Sequence, residues 1–275
     1  MKPMDVGVFL CSTAIEDPFE SATKLHELGI NNTQIGPMSP EFYTDENADK
    51  LKAHLAKLGI EPTTLFVGFP GESYASMAAV KATVGLVVPD KLKERVAIMK
   101  RAIEFTARLG CPRVALHVGF VPGDASDPLY VALVKVIQDI ADACAEHGLG
   151  LSLETGQETA EELLEFIHAV NRPNMGINFD PANLILYGKD KPIEALESVK
   201  DYVVSCHCKD GVWPTKEGEL GSEMPLGEGQ VDIPAFVAKL KEIGYQGPLT
   251  IEREAGDDRI GDILRGKALL ERARG

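Results

Sequence analysis

Short segments rich in Val, Ile and Leu alternate with longer amphipathic segments along the whole chain. Apolar runs of four or five residues that are bounded by Gly, Pro or charged residues are typical of buried strands. Strands are predicted at residues 6–10, 32–36, 63–67, 114–118, 149–153, 175–179, 202–206 and 248–251. Residues 32–36 form the weakest of these strands.

The segments between the strands carry apolar residues at helical spacing, and several of them end at a glycine. In residues 45–58, for example, the apolar positions Ala48, Leu51 and Leu55 recur on one face, and Gly59 follows as a helix stop. Helices are predicted at residues 18–29, 45–58, 91–109, 127–147, 159–170, 192–201, 233–243 and 258–272. Strands that alternate regularly with helices imply a parallel sheet with crossover helices.

Eight such units in about 250 residues have the size of a barrel of eight parallel strands surrounded by helices. We therefore predict an α/β fold, a single (β/α)8 TIM barrel, with residues 1–275 forming one domain. The alternative is an open doubly wound sheet, which usually carries a glycine-rich phosphate turn after its first strand. The sequence at that place is Cys11-Ser12-Thr13-Ala14, which is no such turn.

Two long segments interrupt the regular alternation. Residues 68–89 are rich in Gly, Pro and Ser, and residues 209–230 are rich in Gly, Pro and acidic residues. Long loops in compact domains are often active-site lids, so residues 68–89 predict either a lid or a surface excursion with a short helix near 77–83.

Four predicted strands end at a side chain that can bind a metal ion. These side chains are Glu154, Asp180, His207 and Glu252, which end the predicted strands five to eight. Because the carboxyl ends of barrel strands surround one mouth, the four side chains are expected to meet there. Taken singly, Asp180 could be a helix cap and His207 a core histidine, so the prediction depends on the agreement of all four.

Three carboxylates and one imidazole form an oxygen-rich site, which suits one divalent metal ion. Mn²⁺, Mg²⁺ or Co²⁺ are favoured and Zn²⁺ is an alternative. Carboxylates so close together would repel one another without a cation. Cys206 and Cys208 flank His207, but neighbours on a strand point to opposite faces, so both thiols are expected to be buried and structural.

The overall charge of the chain argues against some classes of binding partner. The chain has 28 Lys and Arg against 42 Asp and Glu, a formal net charge of −14, which argues against nucleic acid and anionic membranes as partners. Five scattered cysteines do not form a disulfide framework. With no secretory pattern at the N-terminus and no membrane-length apolar run, a cytoplasmic location is expected.

Five motifs together resemble the xylose-isomerase-like TIM barrels, and most closely the bacterial sugar phosphate isomerase/epimerase group. They are LETGQE at 153–158, NFDPAN at 178–183, HCKD at 207–210, PLGEG at 225–229 and IERE at 251–254. The resemblance implies a divalent metal held by Glu154, Asp180, His207 and Glu252. It also implies that Glu154 and Glu252 are the catalytic acid and base on opposite sides of a sugar, and that dimers or tetramers are common among such barrels.

Five further residues are candidate contacts to the substrate. His117 ends the fourth strand and Lys209 follows His207, with structural roles as the alternative for each. Gln157 and Glu158 lie just beyond Glu154. Trp213, the only tryptophan, could stack on a sugar face or anchor the long loop after the seventh strand.

The predicted function is that of an isomerase or epimerase in carbohydrate metabolism, acting on a small sugar by proton abstraction next to a carbonyl. The alternative is a lyase or dehydratase that acts on a keto-polyol or keto-glycoside with the same metal site. A nuclease and a non-catalytic sugar-binding protein are less favoured, because the chain is acidic and keeps both glutamates.

Two positions depart from the ketose 3-epimerases. Asn183 stands where they usually have histidine, and the loop after His207 lacks their arginine. No phosphate-binding glycine turn is evident near strands seven and eight, so the sequence does not support a phosphorylated substrate.

Overall fold

Eight parallel strands pair side by side and close into a ring. The structure, a computed structural model, describes residues 2–275. The barrel strands are β1 (Val6–Phe9), β2 (Asn32–Ile35), β3 (Glu61–Val67), β4 (Arg113–Leu116), β5 (Gly150–Glu154), β6 (Met175–Phe179), β7 (Val203–Cys208) and β10 (Leu249–Ile251). They follow one another around the ring in chain order, and β1 closes it by pairing with β10, Val8 opposite Ile251. The predicted (β/α)8 barrel is confirmed.

Helices connect the strands. They are α1 (Pro18–Glu27), α2 (Asp45–Leu58), α3 (Met77–Thr83), α4 (Pro89–Leu109), α5 (Pro128–Glu146), α6 (Ala160–Val170), α7 (Pro181–Leu186), α8 (Pro192–Val199), α9 (Ile233–Glu242) and α10 (Arg259–Arg274). Local signals account for many of their ends. Thr44 Oγ1 accepts a hydrogen bond from the Asn47 N–H at the start of α2, and Gly59 ends that helix with φ +67°. Within residues 2–275 no helix is long and apolar enough to cross a membrane.

The alternation of side chains along the strands separates two apolar regions. In β4, Val114 and Leu116 join the large core shared with the helices, whereas Ala115 between them groups with Phe9 and Phe66. This second, small cluster lies beside the ring of His207, whose centroid is 5.2 Å from that of Phe9 and 5.8 Å from that of Phe66. Aromatic side chains therefore border the polar site at the mouth of the barrel.

The structure adds elements within segments that the sequence pattern left irregular. Helix α7 follows Asp180 directly, and its six residues are too few to show a helical period. Residues 209–230, predicted as a loop, contain a two-stranded antiparallel sheet of β8 (Asp210–Val212) and β9 (Ser222–Met224).

The carboxylate of Asp210 organises this hairpin. Its Oδ1 accepts from the N–H groups of Gly211 and Val231, and its Oδ2 accepts from those of Gly227 and Gly229, at 2.8–3.0 Å. A Cβ atom at Gly229 would lie 2.2 Å from Asp210 Oδ1, so only glycine fits there. Because the donors lie up to 21 residues from Asp210, no local pattern could predict the hairpin.

Candidate active site

The four strand-end residues meet at the carboxyl end of the barrel. Glu154 is the last residue of β5, Asp180 follows β6, His207 lies in β7, and Glu252 follows β10. Their side chains are only 2%, 0%, 0% and 5% exposed, and one ligand atom from each lies within 4.8 Å of the others. The expected convergence is therefore present in the structure.

Asp180 is held in place by its own backbone as well as by its side chain. Its Oδ1 caps α7 by accepting from the N–H groups of Ala182 and Asn183, at 2.8 and 3.2 Å. Thr155 Oγ1 accepts from the N–H of Asp180 and donates to its carbonyl. The remaining oxygen, Oδ2, has no hydrogen-bond partner among residues 2–275 and faces the cluster. Asp180 is thus a helix cap with one carboxylate oxygen left for a ligand.

A chain of three hydrogen bonds sets the tautomer of His207. Because the carboxylate of Glu154 can only accept, Asn178 presents its Nδ2 to Glu154 Oε1 at 3.2 Å. Asn178 Oδ1 then accepts from Gln34 Nε2 at 3.1 Å, which turns Gln34 Oε1 toward His207 Nε2 at 2.9 Å. An acceptor at that position requires a proton on Nε2. Neutral His207 therefore carries its lone pair on Nδ1.

Nδ1 of His207 faces the carboxylates. Burial lowers the pKa of His207, but the charges of Glu252 and Glu154 raise it well above its usual range, so Nδ1 carries a proton unless a metal cation takes its place. Glu154 Oε1 lies 2.6 Å from His207 Nδ1, Glu252 Oε2 lies 3.1 Å away and Asp180 Oδ2 lies 3.9 Å away. Nδ1, Asp180 Oδ2 and Glu252 Oε2 are all buried without a properly oriented hydrogen bond within the described chain. Four acceptor atoms that converge in a buried space form a donor set suited to a divalent cation.

The electrostatics of Asp180 show the same excess of negative charge. Burial raises the pKa of its carboxyl well above the usual range. The positive charge of Lys209 opposes this effect, while the negative charges of Glu252 and Glu154 add to it. A cation in the cluster would relieve this repulsion and favour the ionised carboxylate.

The two glutamates share His207 as a cationic partner, and each has a second one of its own. Burial tends to raise the pKa of Glu154, but His117 and His207 lower it to about 2. Burial likewise opposes ionisation of Glu252, whose pKa is nevertheless lowered by His207 and Lys209. Glu154 Oε2 lies 2.7 Å from His117 Nε2, whereas Glu252 Oε2 lies 3.1 Å from Lys209 Nζ. Both carboxylates are thus held as anions, each beside a different proton-bearing group.

A cavity of about 460 Å³, which we call the central cavity, opens onto this cluster. Glu154 and Glu252 line it together with His117 and Lys209. Four aromatic rings contribute to its walls: Phe9, Phe66, Tyr74 and Tyr187. Volume and lining are those of a small-molecule site, with few polar groups placed against an apolar wall.

The candidate substrate contacts divide into two groups. His117 and Lys209 line the central cavity, and Lys209 pairs with Glu252 and Glu254. Gln157, Glu158 and Trp213 are not among the described residues that line it.

The three residues outside the central cavity have other surroundings. Gln157 Nε2 lies 3.5 Å from the hydroxyl of Tyr187. Glu158 borders a separate cavity of about 20 Å³, and burial raises its pKa to about 8. Trp213 packs at the edge of the large core, and its backbone N–H group donates to Gln230 Oε1 at 2.8 Å.

Residues 68–88 form one wall of the central cavity and are tied down at several points. Glu72 accepts from the N–H groups of Phe69 and Gly85, at 2.9 and 2.7 Å. The buried Arg95 of α4 donates to the carbonyls of Thr83 and Gly85. The segment thereby presents Tyr74 beside His117, with ring centroids 6.1 Å apart. These contacts favour a fixed wall over a mobile lid.

Several residues of the site escaped the sequence analysis. Gln34 and Asn178 lie on barrel strands and are fully buried, and polar side chains inside otherwise apolar strands are the signal that could have marked them. Tyr74, Glu223 and Glu254 line the cavity from loops and the β9 strand. Nothing in the local sequence distinguishes Tyr74 and Glu223 from ordinary surface residues, whereas Glu254 ends the IERE motif at 251–254 but was assigned no role.

The sequence model of the xylose isomerase-like TIM barrel family matches residues 23–273. The chain belongs to this family. A xylose isomerase domain protein from Planctomyces limnophilus is 43% identical, with a TM-score of 0.92, and the match covers 99% of this chain and 97% of that one. Membership in the xylose isomerase-like TIM barrel family agrees with the resemblance found in the five motifs.

Two further similar proteins share less sequence identity with this chain. The L-ribulose 3-epimerase of Methylomonas sp. (strain DH-1) is 29% identical over 183 residues, which cover 61% of this chain and 59% of that enzyme. A xylose isomerase-like TIM barrel protein from Mycobacterium smegmatis, solved in complex with magnesium, is 18% identical, with a TM-score of 0.71. The match covers 100% of this chain and 97% of that one. The second likeness concerns the fold alone.

Proposed function

We propose that this protein is a divalent-metal-dependent isomerase or epimerase of a sugar or sugar derivative. The observation that carries the proposal is the arrangement of Glu154 and Glu252. Both carboxylates approach His207 Nδ1 in one buried cluster, and both line the central cavity. The same buried cluster could therefore bind a metal ion and place two carboxylate bases beside one bound molecule.

The relatives support this class of reaction. The Methylomonas protein that shares 29% identity over part of the chain is an L-ribulose 3-epimerase, and the Mycobacterium smegmatis protein of the same fold binds magnesium. We propose that Glu154, Asp180, His207 and Glu252 hold one Mn²⁺, Mg²⁺ or Co²⁺ ion, with Zn²⁺ as the alternative.

The chemistry proposed is proton transfer at a carbon next to a carbonyl. A divalent cation held by the four residues would stabilise the negative charge that develops on the substrate oxygens as the proton leaves. Glu154 would remove the proton from one face of the sugar. Glu252, an anion at rest, would take a proton from the ammonium of Lys209 at 3.1 Å and deliver it to the other face, and exchange with solvent would then restore Glu154 and Lys209. Their roles exchange for the opposite epimer.

His117 and Lys209 would assist the two glutamates in different ways. His117 bonds Glu154 Oε2 and leaves its buried Nδ1 without a hydrogen bond within residues 2–275, at the wall of the central cavity. This atom is free to bond a substrate hydroxyl. The ammonium of Lys209 keeps Glu252 ionised and can donate to a substrate oxygen at the same time.

The charge of the central cavity favours an unphosphorylated substrate. Glu72, Glu223 and Glu254 line it in addition to the two catalytic glutamates, whereas Lys209 is the one lysine or arginine among its described lining residues. A phosphate group would meet this acidic surplus at close range. Neutral sugars, whose hydroxyls bond to carboxylates, are the expected ligands.

A lyase that uses the same proton abstraction is the second candidate. Lys209 favours it, since an ammonium group beside Glu252 could protonate a departing hydroxyl or alkoxide from the cavity wall. The two candidates differ in product. An epimerase returns the proton to carbon, whereas a lyase expels the neighbouring oxygen.

NMR in D₂O tests the proposal. Protein loaded with Mg²⁺ is incubated with ketoses, aldoses, inososes and 3-keto sugars, and deuterium in the recovered sugar marks the carbon that lost its proton. Glu154→Gln and Glu252→Gln are expected to slow exchange by roughly 10²–10⁴-fold. The control Glu161→Gln changes an exposed glutamate of α6 and should leave the rate unchanged.

The outcomes separate the candidates. Exchange with a recovered epimer or isomer supports the proposal, and a dehydrated or cleaved product selects the lyase. Exchange that survives metal removal, or that is as fast in Glu154→Gln as in the wild type, contradicts the proposed mechanism.

A further inference from the structure

A second cavity, also of about 460 Å³, lies beside the central one. We call it the side cavity. Its walls come from residues 10–18 after β1, residues 36–42 after β2, and Arg259 at the start of α10. All three regions follow the carboxyl ends of barrel strands, so the side cavity opens on the same face of the barrel as the metal cluster.

The two cavities share a boundary. Pro37 lines both of them. Phe9 lines the central cavity, and the next two residues, Leu10 and Cys11, line the side cavity. Arg259 donates to the backbone carbonyl of Glu254, which lines the central cavity. A molecule bound over Glu252 therefore has the side cavity as its immediate neighbour.

The lining of the side cavity is nearly neutral and of mixed polarity. Glu16 and Arg259 are its one acid and one base among the described residues, and their charges balance. Ile15 and Phe42 supply apolar surface, and Ser39 supplies a hydroxyl. Apolar and aromatic surface with a few polar groups suits a sugar ring, which has both C–H faces and hydroxyls, better than it suits an anion.

We propose that the substrate is a neutral sugar of two units. The keto unit lies in the central cavity at Glu154 and Glu252, and a glycosyl substituent passes Pro37 into the side cavity. The inference rests on the proposed function for the placement of the keto unit. Each cavity alone falls within the roughly 300–1,000 Å³ that encloses a small ligand, so a single monosaccharide would leave one of two adjoining sites unused.

Disaccharides with a free ketose unit provide the probes. Turanose, lactulose and isomaltulose attach a second hexose to fructose at three different hydroxyls, and D-fructose is the one-unit reference. Saturation-transfer difference NMR with the Mg²⁺-loaded protein reports which sugar protons contact the protein, whether or not the sugar is turned over. Both units of at least one disaccharide are expected to receive saturation.

The variant Ser39→Trp fills the side cavity. Ser39 is exposed and its side chain makes no capping hydrogen bond, so the replacement should not disturb folding. It is expected to weaken binding of the disaccharide by roughly tenfold or more, while binding of D-fructose changes by less than about twofold. Glu41→Trp places the same ring on an exposed residue two positions away, outside the cavity lining, and should affect neither sugar.

Deuterium exchange recorded on the same samples distinguishes this inference from the proposed function. Exchange into D-fructose, with no tighter binding of any disaccharide and no effect of Ser39→Trp, overturns the two-unit substrate while leaving the isomerase intact. Disaccharide binding that is lost in Ser39→Trp, without exchange into any sugar, supports the side cavity and contradicts the proposed chemistry.

Discussion

Gln34 Oε1 lies 2.9 Å from Nε2 of His207, and this contact turns Nδ1 of the imidazole toward the three carboxylates. The contact joins β2 to β7, 173 positions apart in the chain. Outer hydrogen-bond partners of this kind orient a metal-binding histidine and fix its tautomer. Gln34 is accordingly a positioning residue of the candidate metal site.

Replacing Gln34 tests this role. Gln34→Leu removes the acceptor for His207 Nε2–H and should weaken metal binding by roughly 10–100-fold. Isothermal titration of Mn²⁺ into metal-stripped protein measures the change. Gln138→Leu makes the same replacement on the outer helix α5 and should leave the metal affinity unaltered. If both variants fold and bind Mn²⁺ with equal affinity, Gln34 does not position His207 for metal binding.

Tyr74 is expected to contact the sugar. Its ring lines the central cavity beside His117, and the residue is 47% exposed, which is high for a large aromatic residue. Tyr74→Ala should raise KM by about 3–10-fold with a smaller change in kcat, since an aromatic contact contributes about 0.5–1.5 kcal/mol. Tyr74→Phe keeps the ring and should keep most of the affinity. Steady-state kinetics with the sugar found by exchange provides the values; an unchanged KM in Tyr74→Ala would rule the contact out.

Glu158 should make the stability of the protein depend on pH. Burial raises its pKa from 4.5 to about 8, so the folded state holds a proton that the unfolded state releases near pH 4.5. The free energy of unfolding therefore loses this contribution as pH rises from about 4.5 to about 8. Glu158→Gln should be more stable than the wild type at pH 8, by an amount on the order of a few kcal/mol, and equally stable near pH 4.

Urea unfolding at several pH values measures the difference between Glu158→Gln and the wild type. The neighbouring exposed Glu161, replaced by Gln, serves as the control for the exchange of a glutamate for a glutamine. A stability difference that stays constant from pH 4 to pH 8 would mean that Glu158 ionises at the same pH in the folded and the unfolded protein.

Asp210 should be required for the β8–β9 hairpin. Its two oxygens accept four backbone N–H groups, and Asp210→Asn would turn an amide donor toward two of them. A loss of about 2–4 kcal/mol in the free energy of unfolding is expected, together with faster proteolysis within residues 213–230. The exposed Asp201→Asn is the control. Wild-type resistance to protease in Asp210→Asn would show that the hairpin holds without the carboxylate.

The barrel and the candidate metal-binding cluster could be predicted because both follow from short-range pattern and topology. Apolar runs mark the strands, and parallel strands in a barrel bring their ends to one mouth, so Glu154, Asp180, His207 and Glu252 could be grouped from sequence. The alternative of a helix cap for Asp180 is also correct in part, since one oxygen caps α7 while the other faces the cluster.

The remaining features depend on contacts that no local pattern encodes. The bond between Gln34 and His207 spans 173 positions, and the contacts that hold the wall around Tyr74 and the hairpin around Asp210 span 13 and 21 positions. For Trp213 the sequence left two alternatives, stacking on a sugar face or anchoring the long loop. Its packing at the core and its bond to Gln230 favour the anchor, and the contact to a sugar stays a prediction.

Titration of Mn²⁺ into metal-stripped protein, with free Mn²⁺ followed by electron paramagnetic resonance, tests the central claim most directly. The wild type should bind one ion per chain. Asp180 is a proposed metal ligand with no assigned role in proton transfer. Asp180→Asn should weaken Mn²⁺ binding by more than the roughly 10–100-fold that is typical when a hydrogen-bond partner of a ligand is replaced. The exposed Asp201→Asn should bind as the wild type does. A wild type without a stoichiometric site, or an Asp180→Asn variant that keeps it, would contradict the proposed metal centre.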